Sequence, residues 1–203
     1  MICDSADSPN AGSTGDSAFV LEKLLPVKDE FAMAVAVNDV KAVDKAFELG
    51  VGGVGDFTVG ASICPKLSSP VMVKNATVER LSNGEFTMWG PQERGAIKNI
   101  GKCAVIRTGK LKILLAYDGK KEGDRGFYSF VGIEPELLDI VDVKACASFR
   151  AGYESISAEI CNVASFGAAS PVLTALPYEK RPKPLYPFEN VALETIAEPK
   201  NYR

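Results

Sequence analysis

The first candidate for chemistry is the opening loop, in which residues 4–17 read DSADSPNAGSTGDS. Three carboxylates, a carboxamide and several hydroxyls precede the first repeating apolar pattern. Gly12 and Gly15 lie just before a predicted helix whose first turn carries Asp16 and Ser17, and the free N–H groups of a helix start attract anions. A Walker phosphate loop requires a lysine after its last glycine, where this chain has Asp16, so a nucleotide site is not expected.

Two interpretations of this loop remain open on chemistry alone. In the structural interpretation, Asp7 and Asp16 cap turns and the helix start, as Asp and Asn residues do in many proteins. In the functional interpretation, Asp4, Asp7 and Asn10 face a cleft, where they orient a polar substrate or a group that contacts a metal ligand.

A second candidate is the segment VKACASFRAGYES at 143–155. Lys144, Arg150 and Tyr153 follow a predicted buried strand, and open α/β sheets bind ligands at the carboxyl ends of their strands. The Arg150 guanidinium is suited to bind a carboxylate through two parallel hydrogen bonds. An ion pair between Arg150 and one of the opening aspartates is the alternative, and the sequence favours neither.

Composition excludes several classes of site and partner. The 203 residues contain no histidine, which rules out a Ser-His-Asp triad and a His-ligated zinc site within this chain. A net charge of −3 without basic clusters predicts no nucleic-acid partner and no anionic membrane partner. The apolar runs are far shorter than the ~20 residues of a membrane span, and no signal peptide follows Met1. We therefore expect a cytoplasmic protein.

The first quarter of the chain has the pattern of an α/β unit. Apolar residues at helical spacing in 16–25 predict a helix with Asp16 as its N-cap, and FAMAVAV (31–37) predicts a strand buried on both faces. The next helix is predicted to begin at Asn38 and to end at Gly50. Residues 51–60 predict a second strand, in parallel pairing with the first.

The rest of the chain predicts more strands and a final extended segment. Residues 70–117 predict an antiparallel section with hairpin turns at Asn83-Gly84 and around Gly109. The run KKEGDR (120–125) predicts a solvated turn, and 139–147 a buried strand. The proline-rich segment from Pro171 predicts an extended surface strap. The predicted fold class is α/β: a mixed sheet with flanking helices and an antiparallel hairpin section in one domain (1–190), followed by a tail (191–203).

Taken together, these landmarks resemble the C-terminal domain of the MlrC, or microcystinase C-like, metallopeptidases. The opening loop resembles that family's D-x-x-D-N-P-G-G-G-x-x-G-D-[ST] loop. The similarity continues in order through DSAFVLEKLL, DVKAVDKAFELGVGG, GIEP before the V-x-V-K strand, FRAGYESIS and RPKPLYPFE. It covers about residues 3–190.

The resemblance implies a function shared between two domains. Members of the family resemble zinc-dependent hydrolases of linear peptides and related amides, with Asp and His ligands in an N-terminal domain. This chain is then expected to be the substrate-positioning C-terminal domain, inactive alone and beginning near a domain boundary. It would hold no cofactor itself. Zinc is expected in the N-terminal domain, which is the expected partner in cis or as a separate chain.

Other functions remain open beside this one. The chain could be a stand-alone module that binds a small anionic or peptide ligand, or a structural or oligomerisation domain. Weak association between copies of the chain is also expected, because a domain separated from its partner exposes the surface that the partner would cover.

The resemblance also implies which residues line the interdomain cleft. They are Asp4, Asp7, Asn10, Gly12, Gly15, Asp16 and Ser17 in the opening loop, and Lys144, Phe149 and Arg150 in the family's K-x-x-x-x-F-R stretch. The sequence departs from the pattern twice: it has Ser8-Pro9-Asn10-Ala11 for Asn-Pro-Gly-Gly, and Ser148 where many members carry a histidine. If that histidine assists catalysis in the relatives, this protein has lost the activity or performs a variant chemistry. No catalytic residue and no metal ligand is assigned within the chain.

Overall fold

A computed structural model of the chain describes residues 1–192, and its main feature is a mixed sheet of eight strands. The strands of the described part are β1 (Ile2–Asp4), β2 (Met33–Asn38), β3 (Val54–Val59), β4 (Val71–Ser82), β5 (Glu85–Thr87), β6 (Ile97–Asn99), β7 (Cys103–Thr108), β8 (Leu111–Ala116), β9 (Ile140–Val143) and β10 (Cys161–Val163). The large sheet has the order β10-β1-β9-β2-β8-β7-β4-β3, and β5 and β6 form a separate antiparallel pair.

The helices are short and flank the sheet. They are α1 (Phe19–Leu24), α2 (Val40–Leu49), α3 (Gly126–Ser129) and α4 (Arg150–Tyr153), with single 3-10 turns at Pro9–Ala11, Leu25–Val27, Pro135–Leu137, Glu154–Ile156 and Leu173–Ala175. Among residues 1–192, no helix has the length and apolar character that crossing a membrane requires.

The core lies on both faces of the central strands. Met33, Val35 and Val37 of β2 face α1 and α2, whereas Ala34 and Ala36 face α3, α4 and the β5–β6 pair. Side chains on alternate residues of a strand point to opposite faces, so a strand covered on both sides has a continuous apolar sequence. The prediction for FAMAVAV is confirmed, with the strand beginning at Met33 and Phe31 exposed.

The carboxyl ends of five parallel strands lie at the same end of the sheet, which we call its carboxyl edge. Strands β10, β1, β9, β2 and β8 are all parallel to their neighbours in this half of the sheet. The segments that follow these strands therefore converge at the same edge, which is where open α/β sheets bind ligands. Among these segments are the opening loop, the stretch from Lys144 to Arg150 and the run at 120–125.

The predicted fold class is confirmed, but the predicted partner of β3, the hairpin after β4 and the cap of α2 are wrong. Strand β3 does not pair with β2, because β8 and β9 already occupy both edges of β2; β3 pairs with β4 in antiparallel fashion at the far edge of the sheet. The turn after β4 does not close a hairpin, because β4 pairs with β7 and β5 with β6. Helix α2 is capped by Asp39, which accepts a hydrogen bond from the N–H of Ala42, rather than by Asn38.

The last described segment follows the predicted strap. Residues 171–192 lie largely at the surface and include one 3-10 turn. Within this segment, Arg181 donates two hydrogen bonds to the Glu189 carboxylate, 2.8 and 2.5 Å long, and so links two points eight residues apart. The predicted tail at 191–203 falls outside the described residues from position 193 onward.

Candidate functional site

The Asp7 carboxylate organises the opening loop. Its Oδ1 accepts hydrogen bonds from Ser13 Oγ (2.8 Å) and the Gly15 N–H (2.9 Å), and its Oδ2 accepts one from the Ser17 N–H (2.7 Å). Gly15 has a φ of +69°, and a Cβ there would lie 2.5 Å from Asn38 Nδ2. Glycine therefore allows the loop to pack against the end of β2.

The Asp16 carboxylate connects the loop to a second segment rather than to its own helix. Its Oδ2 accepts hydrogen bonds from the N–H groups of Ile63 (2.7 Å) and Cys64 (2.8 Å). Helix α1 begins after Ala18 without a side-chain cap, so the prediction that Asp16 caps this helix is wrong. The carboxylate satisfies donors in the segment after β3 instead, because that segment lies against the loop: the Ala61 N–H donates to the Asp16 carbonyl.

Lys144 is a buried cation between β9 and the opening loop. Its side chain is only 1% exposed, and its Nζ lies 3.4 Å from Asp4 Oδ2 and 3.2 Å from Asp7 Oδ2. The same ammonium donates a 2.9 Å hydrogen bond to the Ser17 carbonyl. A buried charge is tolerated when it is paired and hydrogen-bonded, so Lys144 fixes the loop against β9.

Two further buried carboxyls complete what we call the charged junction: Asp4, Asp7, Glu122, Asp142 and Lys144. Glu122 Oε2 accepts a hydrogen bond from the Lys144 N–H (2.9 Å), and Tyr128 donates through its hydroxyl to the Asp142 carbonyl (2.7 Å). Within residues 1–192, Asp142 Oδ1 is buried without a hydrogen-bond partner. An unpaired buried oxygen is less costly on a neutral carboxyl than on a charged one.

Burial dominates the ionisation of the junction. It raises the pKa of the Glu122 carboxyl to about 8, and that of Asp142 to about 8, although the Lys144 charge opposes both shifts. Burial alone would lower the pKa of Lys144, but the neighbouring carboxylates, that of Asp4 first, outweigh it and raise that pKa above its ordinary value. The junction therefore keeps a protonated lysine, with neutral Glu122 and Asp142 at pH 7.

The Phe-Arg segment (residues 146–152) lies beside the opening loop and contains both buried and exposed side chains. Phe149 is buried in the core, whereas Ser148 and Arg150 are exposed. Arg150 Nη1 lies 3.3 Å from Glu154 Oε1, one turn along, so its ion pair is with its own segment rather than with an opening aspartate. Contacts on the other side of the segment join it to the loop: Cys146 Sγ donates to the Ser5 carbonyl at 3.6 Å.

A cleft of about 260 Å3 opens at this edge of the sheet. It is lined by Asn10 of the opening loop and by Ser148, Ala151 and Gly152 of the Phe-Arg segment. Two further segments complete the lining: Met88, Gly90, Pro91, Gln92, Lys121, Gly123 and Asp124. The two sequence motifs therefore meet at one cleft, to which each contributes an exposed polar side chain.

The sequence analysis missed two segments that line this cleft, residues 88–92 and 121–124. The run KKEGDR, predicted as a solvated turn, contains the buried carboxyls Glu122 and Asp124 and the cleft residue Lys121. The Tyr153 hydroxyl donates to the carbonyls of Glu122 (3.2 Å) and Asp124 (3.3 Å), which holds the run under α4. A charged run has the same composition whether it is solvated or buried, so only its position after the parallel strand β8 could have indicated a site.

The predicted site residues fall into two groups by exposure. Asn10, Gly12, Ser148 and Arg150 are exposed, whereas Asp4, Asp7, Gly15, Asp16, Ser17, Lys144 and Phe149 are buried. The buried group builds the edge on which the exposed group lies. Whether any of them contacts a ligand stays a prediction.

Among residues 1–192, the donor side chains do not gather into a zinc centre. The sequence has no histidine, and the part of the chain from 1 to 192 contains no group of three or more Cys, Asp or Glu side chains arranged to hold a metal ion. In the charged junction the Lys144 ammonium occupies the space between Asp4 and Asp7 where a cation would bind. These residues are therefore not assigned a role as zinc ligands.

Comparison with known proteins identifies relatives of this chain. The family model described as MlrC C-terminus matches residues 2–180. Microcystinase C from Sphingomonas sp. is 24% identical over 191 residues, which are 94% of this chain and 36% of that protein. The chain thus spans little more than a third of the length of this curated relative.

A solved structure supports the same assignment at the level of the fold. The crystal structure of a candidate metallopeptidase from Mesorhizobium sp. BNC1 matches with a TM-score of 0.82 and 23% identity, over 95% of this chain and 38% of that chain. At this identity the likeness establishes the fold alone. Because the family model spans most of the chain, the resemblance seen in the sequence is confirmed, and the chain belongs to the MlrC C-terminus family.

Proposed function

We propose that this chain is the substrate-positioning domain of an MlrC-like zinc-dependent peptide or amide hydrolase, and that catalysis requires a metal-bearing N-terminal domain. Family membership supports the proposal, together with the names of the two relatives, microcystinase C and a candidate metallopeptidase. Both relatives are much longer than this chain, which leaves room in them for a further domain.

The observation that carries the proposal is the cleft at the carboxyl edge of the parallel strands. Asn10 and Ser148 come from the two motifs that resemble the family, and they line one cleft together. The charged junction beneath them holds the opening loop and the end of β9 in a fixed relation through Lys144. Rigid placement of binding groups lowers the entropy cost of bringing a substrate to a reactive group.

The mechanism assigned to this chain is therefore positioning. The partner domain, rather than this chain, would hold the zinc, which when bound would activate water for attack. On this side of the substrate, the Asn10 carboxamide can donate to a peptide carbonyl and accept from a peptide N–H, and the Ser148 hydroxyl can do the same. The exposed Arg150 guanidinium lies beside the cleft, where it can contact the partner domain or a substrate carboxylate after releasing Glu154.

Reconstitution tests this function. The chain and the metal-bearing domain are purified separately and assayed, alone and mixed, for hydrolysis of a fluorogenic linear peptide amide. We expect hydrolysis only in the mixture. Hydrolysis by this chain alone after addition of zinc would contradict the proposal, as would an inactive mixture containing a folded, zinc-loaded partner.

A matched pair of variants locates the activity in the cleft. Asn10→Ala removes a carboxamide from the cleft, whereas Asn162→Ala removes an exposed one from β10 that does not line it. We expect a several-fold fall in kcat/KM for Asn10→Ala in the mixture and none for Asn162→Ala, because one neutral hydrogen bond contributes about 1 kcal/mol. Equal changes in kcat/KM for the two variants would show that the cleft does not bind the substrate.

The second candidate function is a stand-alone module that binds a small anionic or peptide ligand. The observation that favours it is that a lysine and two carboxamides, Lys121, Gln92 and Asn10, line one cleft. A thermal shift of the isolated chain by a peptide, unaccompanied by activity in any mixture, would favour this candidate.

A further inference from the structure

One wall of the cleft is built around a buried carboxylate that the sequence motifs did not indicate. Asp124 Oδ1 accepts hydrogen bonds from the N–H groups of Trp89 (3.0 Å) and Gly126 (2.8 Å), and Oδ2 accepts one from Gly90 (2.6 Å). Asp124 is 4% exposed, so its oxygens are used within the protein. It clamps the segment 88–92 in place as a wall and is not available as a base.

Glycines allow the segments around this wall to pack closely against one another. A Cβ at Gly90 would lie 2.6 Å from Asp124 Oδ2, one at Gly123 would lie 3.0 Å from Ser148 Oγ, and one at Gly152 would lie 3.1 Å from the Gly123 carbonyl oxygen. All three residues line the cleft. Backbone rather than side chains therefore forms much of the surface, which suits an extended peptide because peptide N–H and C=O groups pair readily with backbone.

Lys121 is the cation of the cleft, and its backbone is unusual. Its φ of +76° lies in the left-handed region, which is uncommon for a residue with a long side chain and recurs at binding sites. The Asp124 N–H donates to the Lys121 carbonyl (2.9 Å), which closes the turn. The fold thus holds a strained conformation that places a lysine in the lining of the cleft.

Lys121 shares its carboxylate partner with a second lysine. Lys121 Nζ lies 2.8 Å from Glu93 Oε2, and Lys98 Nζ lies 2.8 Å from Glu93 Oε1. Hydrogen bonds from the two lysines lower the pKa of Glu93 to about 2, so it stays ionised at neutral pH. Glu93 is thus shared between two ammonium groups, and Asp124, the other carboxylate of this lining, already accepts hydrogen bonds from three backbone N–H groups. The Lys121 ammonium has three N–H donors, so it can donate to a further carboxylate as well as to Glu93. Gln92, which also lines the cleft, adds a carboxamide.

We propose that Lys121 and Gln92 form a carboxylate subsite, which binds a carboxylate group of a peptide while Asn10 and Ser148 hold its backbone along the cleft. The inference rests on the proposed function in taking a peptide as the ligand. The carboxylate can come from a peptide C-terminus or from an acidic side chain, since the chemistry of recognition is the same.

Peptide titrations of the isolated chain test this subsite. The probes are N-acetyl-Ala-Ala-Ala as the free acid, the same peptide as its C-terminal amide, and the amide of N-acetyl-Ala-Glu-Ala. Binding is followed by shifts of backbone amide resonances. We expect one of the two carboxylate peptides to bind about tenfold or more tighter than the uncharged amide, because hydrogen bonds to charged groups contribute about 1.5–3 kcal/mol. The tighter of the two identifies the source of the carboxylate.

A pair of lysine variants assigns the effect to one residue. Lys121→Gln should remove the preference for carboxylate peptides without affecting the uncharged amide. Lys120→Gln should change nothing, since Lys120 pairs with Asp118 and does not line the cleft. Equal binding of all three peptides, no binding of any, or equal effects of the two variants would show that Lys121 has an ion pair with Glu93 and nothing more.

These titrations fail independently of the reconstitution. If the mixed domains hydrolyse peptides but Lys121→Gln leaves binding unchanged, the subsite is wrong and the positioning function stands. If Lys121 governs carboxylate binding but no mixture hydrolyses a peptide, the subsite stands and the hydrolase function is wrong.

Discussion

Two polar regions of this domain lie next to each other and differ in nearly every physical property. The charged junction is buried and its ion pairs are internal, with Lys144 at 1% exposure between Asp4 and Asp7. The cleft is open, and exposed Asn10 and Ser148 line it. The comparison teaches that the most polar motif in a sequence need not face a cleft, because its charges can instead hold together the segments beside the cleft.

The largest expected effect breaks the junction. Lys144→Met leaves the Asp4 and Asp7 carboxylates buried without their cation, and we expect a loss of about 3–5 kcal/mol in the free energy of unfolding in urea. The control is Arg150→Ala, which removes an exposed pair with Glu154 and should cost less than about 0.5 kcal/mol. A loss below about 1 kcal/mol for Lys144→Met would mean that the junction contributes little to holding the loop.

The pH dependence of stability sharpens the same contrast. Glu122 and Asp142 have a pKa of about 8 in the folded protein, against about 4 for carboxyls in an unfolded chain. Between pH 5 and pH 7 the folded state therefore holds protons that the unfolded state has released. The free energy of unfolding should fall as the pH rises, by up to about 1.4 kcal/mol per pH unit for each carboxyl.

The chain is well suited to this measurement, because it has no histidine to titrate in the same range. Asp142→Asn and Glu122→Gln should each remove part of the slope, since an amide cannot ionise. A flat profile from pH 5 to pH 7 in the unmodified protein would refute the neutral carboxyls. If neither variant changes the slope of unfolding free energy against pH, other groups than Glu122 and Asp142 titrate in this range.

A smaller effect is expected at the wall of the cleft. Asp124→Ala leaves the N–H groups of Trp89, Gly90 and Gly126 unpaired, which should cost about 1–3 kcal/mol and speed hydrogen exchange at these amides. Asp118→Ala removes an exposed carboxylate paired with Lys120 and should change stability by less than about 0.5 kcal/mol. Unchanged exchange at Trp89 and Gly90 in Asp124→Ala would show that the wall does not depend on this clamp.

The sequence predicted the parts of the fold that have local causes. The continuous apolar run at β2 and the glycine that ends α2 were read from spacing and residue type. The pairing of β3 was not, because which strand lies beside which depends on edges left free elsewhere in the sheet. The cap of α2 was wrong by one residue, since both Asn38 and Asp39 are suitable caps and Asn38 instead bonds the Thr14 carbonyl and the Gly119 N–H.

The sequence motifs named some of the residues that line the cleft and missed others. Asn10 and Ser148 were singled out and do line one cleft, but Lys121, Gln92 and Asp124 were missed. Lys121 and Asp124 reach the cleft because β8 is parallel to β2 and ends at the same edge, whereas Gln92 reaches it on the connection between β5 and β6. The opening aspartates were singled out for their charge, which says nothing about whether a carboxylate faces solvent or a buried lysine.

The most direct test of the central claim, that this chain supplies a cleft but not the metal, is its zinc content at equilibrium. The purified chain is dialysed against buffered zinc and analysed by mass spectrometry of the metal, alone and with the metal-bearing domain. The account predicts far less than one zinc ion per chain when the chain is alone, and zinc bound only when the second domain is present. Tight binding of one zinc ion by the isolated chain would contradict it.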